Sequence, residues 1–179
     1  MDAIECILTR RSIRRFTARS LSDAQWGQLL AAAAEAPSAF DERPWEFIVV
    51  RETATLRTLD AQMPKCDALK TATGGLLLCG VPALEKYPGY WPQDCAACAQ
   101  NVQLAAHALD LGCVWLALVG IPDREAAIRA CFGLPERLTP FALLALGEPA
   151  ETPDRALRYD ADRVHYDRWP AVSPAPGTT

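Results

Sequence analysis

The sequence predicts a single domain of mixed α/β architecture. Three observations carry that prediction. Amphipathic helical stretches alternate with short apolar runs rich in β-branched and aromatic residues. No repeat or linker divides the 179 residues, a length that buries most of its apolar surface without staples. No glycine-rich turn follows a strand; Gly74-Gly75 precedes one instead, so the usual dinucleotide-binding fingerprint is missing.

The elements follow in order. Ile4, Ile7 and Leu8 at helical spacing, with Asp2 placed to cap, predict a helix over 2–8. Ser22-Asp-Ala-Gln25 has the capping-box form. Trp26, Leu29, Leu30, Ala33 and Ala34 then share a face, and Pro37 stops the helix. "WEFIVV" (45–50) predicts a strand, and Leu56, Leu59 and Met63 a helix over 53–63. "LLLCGV" (76–81) reads as a buried strand, although so short an apolar run also suits a helix. Pro92 opens the longest helix, 92–111, with Gly112 placed to close it in the left-handed conformation. A strand over 113–119, a helix from Pro122 to Gly133 and a strand over 141–147 complete the core. Beyond 148 no hydrophobic run recurs, so the chain should wrap a surface there. The folded domain is then 1–169, and the Pro-rich 170–179 is expected to be a disordered tail.

Composition narrows the function. Half the residues are hydrophobic and 22% charged, the balance of a soluble protein. "GGLLLCGVPAL" is broken by Gly80 and Pro82 and is no membrane span. The N-terminus runs acidic to basic, the reverse of a secretory signal, which points to the cytoplasm. A net charge of −4 argues against nucleic acid as a partner. Seven scattered cysteines suit a reducing compartment. Cys95 and Cys98 form a C-x-x-C, but inside a predicted helix and without a second pair, so packing is preferred to redox or metal use. The only histidines, His107 and His165, lie far apart, so there is no metal cluster. His107 reads as a hydrogen-bonded helix residue, and neither histidine has a nucleophile motif nearby. Arginines, aromatic rings and short Pro/Ser loops remain, an inventory suited to holding an anionic planar cofactor that performs the chemistry.

Two stretches stand out. "RRSIRRF" (10–16) puts four arginines into seven positions, in a chain with 15 Arg against 3 Lys. Arginine offers planar, forked donors where lysine offers a point charge. Ile13 and Phe16 should anchor the segment to the core, and Ser12 adds a hydroxyl that suits a phosphate oxygen. A solvated charged face is the competing reading. In "APSAFDERPWEF" (36–47) a helix halts at Pro37, Ser38 presents a hydroxyl, and Pro44-Trp45 leads into a strand.

In this order the two stretches resemble the FMN-dependent nitroreductase family, whose members read R-R-S-x-R and then A-P-S-x-x-N-x-Q-P-W. "AQNVQLAAHALDLGCVWL" (99–116), "GLPERLTPFALLALGEPAE" (133–151) and "RYDADRVHYDRW" (158–169) extend the match. The resemblance implies an α+β, three-layer fold: a central, mostly antiparallel sheet flanked by helices, with a C-terminal arm (159–169) reaching onto a partner subunit. It implies a homodimer with FMN at the interface, reducing nitroaromatic, quinone or similar small acceptors with NADH or NADPH in alternating two-electron steps. Arg10, Ser12 and Arg14 match positions holding the FMN phosphate and ribityl chain. Arg11 matches too, through backbone or charge, whereas Arg15 has no match and is expected to be solvated. Pro37, Ser38 and Ala39 fall where the family's loop meets the flavin of the other subunit. Leu116, Ala117 and Leu118 match a segment along the ring, with Ala117 where glycine is common. Arg155 and Arg158 fall near C-terminal basic phosphate contacts. Two residues depart from the family: Asp41 stands for the usual asparagine and Arg43 for glutamine, in the loop bordering the flavin. Arg43 either replaces the lost amide or neutralises Asp41. Other members perform reductive dehalogenation or flavin cleavage under a lid, for which only 82–91 is available. A flavin-binding redox sensor without turnover, using Asp41 or the Cys95/Cys98 pair, is the reading from another class.

Overall fold

Four strands form one antiparallel sheet, ordered β1 (Trp45–Val50), β2 (Gly74–Gly80), β4 (Thr139–Gly147), β3 (Gly112–Ala117). Five helices flank it: α1 (Ala3–Thr9), α2 (Asp23–Ala34), α3 (Thr53–Gln62), α4 (Trp91–Ala108) and α5 (Pro122–Phe132). This is a computed structural model, and it describes residues 1–154 and 158–169. The architecture is α+β. Alternate residues of β2 face opposite ways, so Leu76 and Leu78 enter one core with α2 and α4, while Leu77 and Cys79 enter the other with α3 and α5. The result is three layers. All seven residues of β2 are buried, which explains why its sequence shows no alternation of polarity.

Local signals fix the helix starts. Asp2 caps α1 by accepting from the Glu5 N–H at 3.0 Å. Ser22 and Gln25 form the reciprocal capping box of α2.

Two expectations are corrected. Gly112 does not close α4; that helix ends at Ala108, the left-handed residue is Asp110 (φ 57°), and Gly112 begins β3. Glycine is required there for space instead. A Cβ on Gly112 would lie 2.7 Å from Ile13 Cγ2, and one on Gly147 2.9 Å from Phe16 Cβ. These glycines are partners across β3 and β4, so the arginine-rich segment lies flat against the sheet where side chains are absent. The second correction concerns α1. Ile4, Ile7 and Leu8 are 55–65% exposed in the single chain, and only Cys6 of this helix is buried. The predicted apolar face exists, but no described residue of its own chain covers it.

Cys95 and Cys98 are buried in α4, and burial raises both thiols, Cys98 to about 12. Among the described residues no group of acids, cysteines and histidines could hold a metal, and no helix is long and apolar enough to cross a membrane. The predicted tail, 170–179, lies outside the described residues.

Candidate functional site

The segment after α1 is tied down along its length. Ile13 N–H donates to the Cys113 carbonyl at 3.1 Å, which fastens it to β3. Residues 15–17 then run antiparallel to 148–150, through Thr17 N–H to the Glu148 carbonyl and Ala150 N–H to that of Arg15, both 2.9 Å. Glu151 secures the turn between these contacts. Its carboxylate accepts from the Arg14 N–H at 2.5 Å and the Arg15 N–H at 3.1 Å, and pairs with the Arg15 guanidinium at 2.9 Å. Those bonds, the Arg14 amide first, hold the Glu151 carboxyl below its ordinary pKa. Arg15 is solvent-exposed, as expected, and also ion-paired. Glu148 plays the same part for Thr17 and Arg19. Neither glutamate stood out in the sequence; their only signal was two acids following the last core strand.

These restraints leave a cleft of about 240 Å³ between α1, α4 and residues 149–153, with Thr9, Arg10, Arg11, Gln103 and His107 in its wall. Arg10 reaches Gln103 Oε1 at 3.4 Å. Arg11 donates to the carbonyls of Leu8 and Arg10. Burial, with Arg158 and Arg11 close enough to repel it, pushes the Arg10 pKa down. Arg10 and Arg11 thus share the cleft wall, and Arg158 lies close enough to repel Arg10, a cost in desolvation and like-charge repulsion that a bound anion would relieve. Ser12 is half-buried nearby, and the Arg14 side chain is exposed. Arg155 lies outside the described residues.

His107 is hydrogen-bonded, as expected of it. The Thr9 hydroxyl lies 2.6 Å from the Glu5 carbonyl, to which it donates, and 2.8 Å from His107 Nε2. Its single proton is then spent, so Nε2 must be the donor and Nδ1 carries the lone pair. Burial and the Arg10 charge lower the His107 pKa, which keeps the ring neutral at pH 7.

Loop 37–44 is unusual in its backbone. Phe40, Asp41 and Arg43 all have φ near +50° (52°, 56° and 49°), a conformation that costs side-chain-bearing residues energy and persists only where surroundings impose it. Arg43 grips Asp41 with two bonds, Nε to Oδ1 at 2.7 Å and an η nitrogen to Oδ2 at 3.0 Å. Of the two roles open to Arg43, this geometry gives neutralisation of Asp41. Ser38 Oγ accepts from the Arg43 N–H at 3.0 Å, closing the turn. Buried Asp94 at the start of α4, 7% exposed, accepts from the Ala39 N–H at 3.1 Å. Asp94 was missed in the sequence, yet a signal was present: an acid on the same stripe as buried Cys98 and Val102. Its second oxygen is buried with no partner among the described residues. Asp94→Ala orphans the Ala39 amide, and about 1–3 kcal/mol of loop order is expected to be lost. Limited proteolysis should then cut within 38–44 faster than in wild type, whereas Asp94→Asn, which keeps an acceptor, should resist.

The stretch 82–91 folds onto this loop. Lys86 N–H donates to Glu42 at 2.8 Å, and the Tyr87 and Phe40 rings meet at 5.0 Å. At the end of β3, Leu116 and Leu118 point into the core while Ala117 faces outward. The Ala117 carbonyl is held by Arg124 at 2.9 Å. The lining of the arginine cleft includes no residue of loop 37–44.

Comparison with known proteins bears on what these parts form. Residues 7–79 and 83–148 match the model of the nitroreductase family. The chain is 43% identical, over 169 residues, to a Methanothermobacter thermautotrophicus protein named as a candidate NADH dehydrogenase/NAD(P)H nitroreductase, covering 94% of this chain and 88% of the relative. An FMN-dependent nitroreductase from Clostridium difficile superposes with a TM-score of 0.85 at 26% identity, covering 93% of this chain and 99% of that one. A candidate nitroreductase from Desulfovibrio desulfuricans, solved in complex with FMN, gives 0.80 at 28% identity, covering 95% and 99%.

Proposed function

The chain belongs to the nitroreductase family, and from that premise we propose that it reduces nitroaromatics, quinones or similar flat acceptors by a ping-pong cycle of two-electron steps. It is an FMN-dependent NAD(P)H oxidoreductase. When bound, FMN would supply the redox chemistry linking the nicotinamide to the acceptor.

The observation that carries the reading is the pairing of Arg10 and Arg11 in the wall of one cleft, with the Arg158 charge acting on Arg10. A phosphate with about −1.5 to −2 charge and three acceptor oxygens fits forked, partly desolvated guanidinium donors. Arg10, Arg11 and Arg158, with Ser12 and Arg14 at the rim, hold that phosphate and the ribityl chain. Arg155 belongs to the same proposal. The outward face of Ala117, between inward-pointing Leu116 and Leu118, borders the ring. Pro37, Ser38, Ala39, Asp41 and Arg43 do so from the other subunit of a homodimer. Two features support that assembly: the uncovered α1 face, and an arm (159–169) whose Tyr159, Tyr166 and Trp169 are exposed. Turnover is favoured over a cysteine-based sensor because Cys95 and Cys98 are buried with raised pKa values, which keeps their thiols protonated and inert.

The test is spectroscopic. The purified yellow protein should bleach anaerobically with NADH or NADPH and regain its colour with a quinone or a nitroaromatic. Double-reciprocal plots at several acceptor concentrations should be parallel. Bleaching without reoxidation by any acceptor would leave a binding protein rather than this enzyme.

A further inference from the structure

His107 has no part in the function argued so far, yet its ring stands in the wall of the arginine cleft beside Arg10 and Arg11. Its Nε2–H is committed to Thr9, so any added proton must go to Nδ1. The ring is neutral because it is partly buried and faces cations. Charged groups face it from every neighbouring element. Arg10 and Arg11 oppose its protonation, while Glu5 on α1 and Asp110 in the turn before β3 favour it. Arg158 adds to the same cation cluster through Arg10. Glu151 lines the cleft but is spent on the Arg14 and Arg15 amides, and Asp154 contributes its carbonyl to Arg11. Cys113 on β3, pushed up to about 12 by burial, carries no charge.

A phosphate dianion in this cleft reverses the balance. It cancels the field of the arginines, which adds to burial in opposing protonation of the ring, and brings an anion of its own. We propose that His107 is a further member of the cofactor-phosphate site, taking up a proton when FMN binds and so tying flavin retention to pH. This rests on the phosphate reading of the cleft given above. The sign follows from linkage. Binding raises the pKa of His107, so affinity falls as pH rises through the interval between its free and bound values. The phosphate's own second ionisation, near pH 6, acts the other way, which confines the effect of His107 to the range above it.

Apo protein titrated with FMN at pH 6.5, in buffers of different ionisation enthalpy, gives the protons exchanged per flavin bound. Wild type should take up more protons than His107→Gln, whose amide still donates to Thr9. The affinity gain from pH 8 to 6.5 should exceed that of the variant by about 3- to 10-fold, since one unit of pKa shift is tenfold. Riboflavin, which lacks the phosphate, should show no such uptake. Independently of any variant, NMR titration of the two histidines should show FMN raising the His107 pKa and leaving His165 alone. Equal proton exchange in His107→Gln, an unmoved His107 titration, or the same uptake with riboflavin overturns the proposal. If Arg10→Ala also binds FMN normally, the phosphate assignment itself has failed; if Arg10→Ala weakens binding, only the role of His107 is lost.

Discussion

Replacing Arg10 with alanine is expected to weaken FMN binding by about 10- to 100-fold, the equivalent of one charge-assisted contact of about 1.5–3 kcal/mol. Arg10 is singled out among the four arginines of 10–15 because it is half-buried in the cleft wall and its guanidinium already bears the cost of crowding. Combining it with Arg14→Ala should exceed 100-fold if both reach the phosphate. Arg15→Ala provides the contrast. Its guanidinium is spent on Glu151, and an exposed pair of this kind contributes about 0–1 kcal/mol, so flavin affinity should stay near wild type. Fluorescence quenching of FMN titrated with each apo protein reads all three. Unchanged affinity in the Arg10→Ala, Arg14→Ala double variant would mean that the cleft does not hold the phosphate.

That contrast shows what was legible in the sequence. Elements governed by local signals were readable: the Ser22/Gln25 capping box, the β-rich 45–50 and the helix over 122–133 all form where periodicity and capping place them. The arginine segment suggested an anion site but left a solvated charged face open; only the family resemblance pointed it at a phosphate. Long-range pairing was not readable. The pairing of exposed Arg15 was hidden because its partner, Glu151, lies 136 residues away. Gly112 looked like a helix cap because the reason for a glycine there, contact with Ile13, is also remote in the sequence. Asp94 is a third case: its place on the buried stripe of α4 could have marked it, but its partner, the Ala39 N–H, is a backbone amide that leaves no trace in a sequence. The Asp41–Arg43 fork sits between these cases, since two residues of separation made neutralisation foreseeable without deciding it.

Ile7→Glu is expected to dissociate the protein into monomers and, with them, to release the flavin. Ile4, Ile7 and Leu8 stand on α1 with more than half of each residue in water. Beside them a groove of about 420 Å³ runs between α1, α2 and α4, lined by Cys6, Ile7, Ala32, Leu104, Ala105 and Ala108. A second copy is the occupant argued for under the proposed homodimer, and a two-fold interface counts every substitution twice. Burying one isoleucine side chain is worth about 1.5–3 kcal/mol, so losing two weakens the dimer by about 100-fold at the least. Buried carboxylates in their place add to the loss. Arg10→Ala separates assembly from cofactor binding, because it should lose flavin while remaining a dimer. Ile7→Glu should lose both if Pro37, Ser38 and Ala39 complete the partner's site rather than their own. Light scattering and flavin absorbance on the same samples distinguish these outcomes. A flavin-loaded monomer, in wild type or variant, would place the whole site within one chain and overturn the shared-site reading.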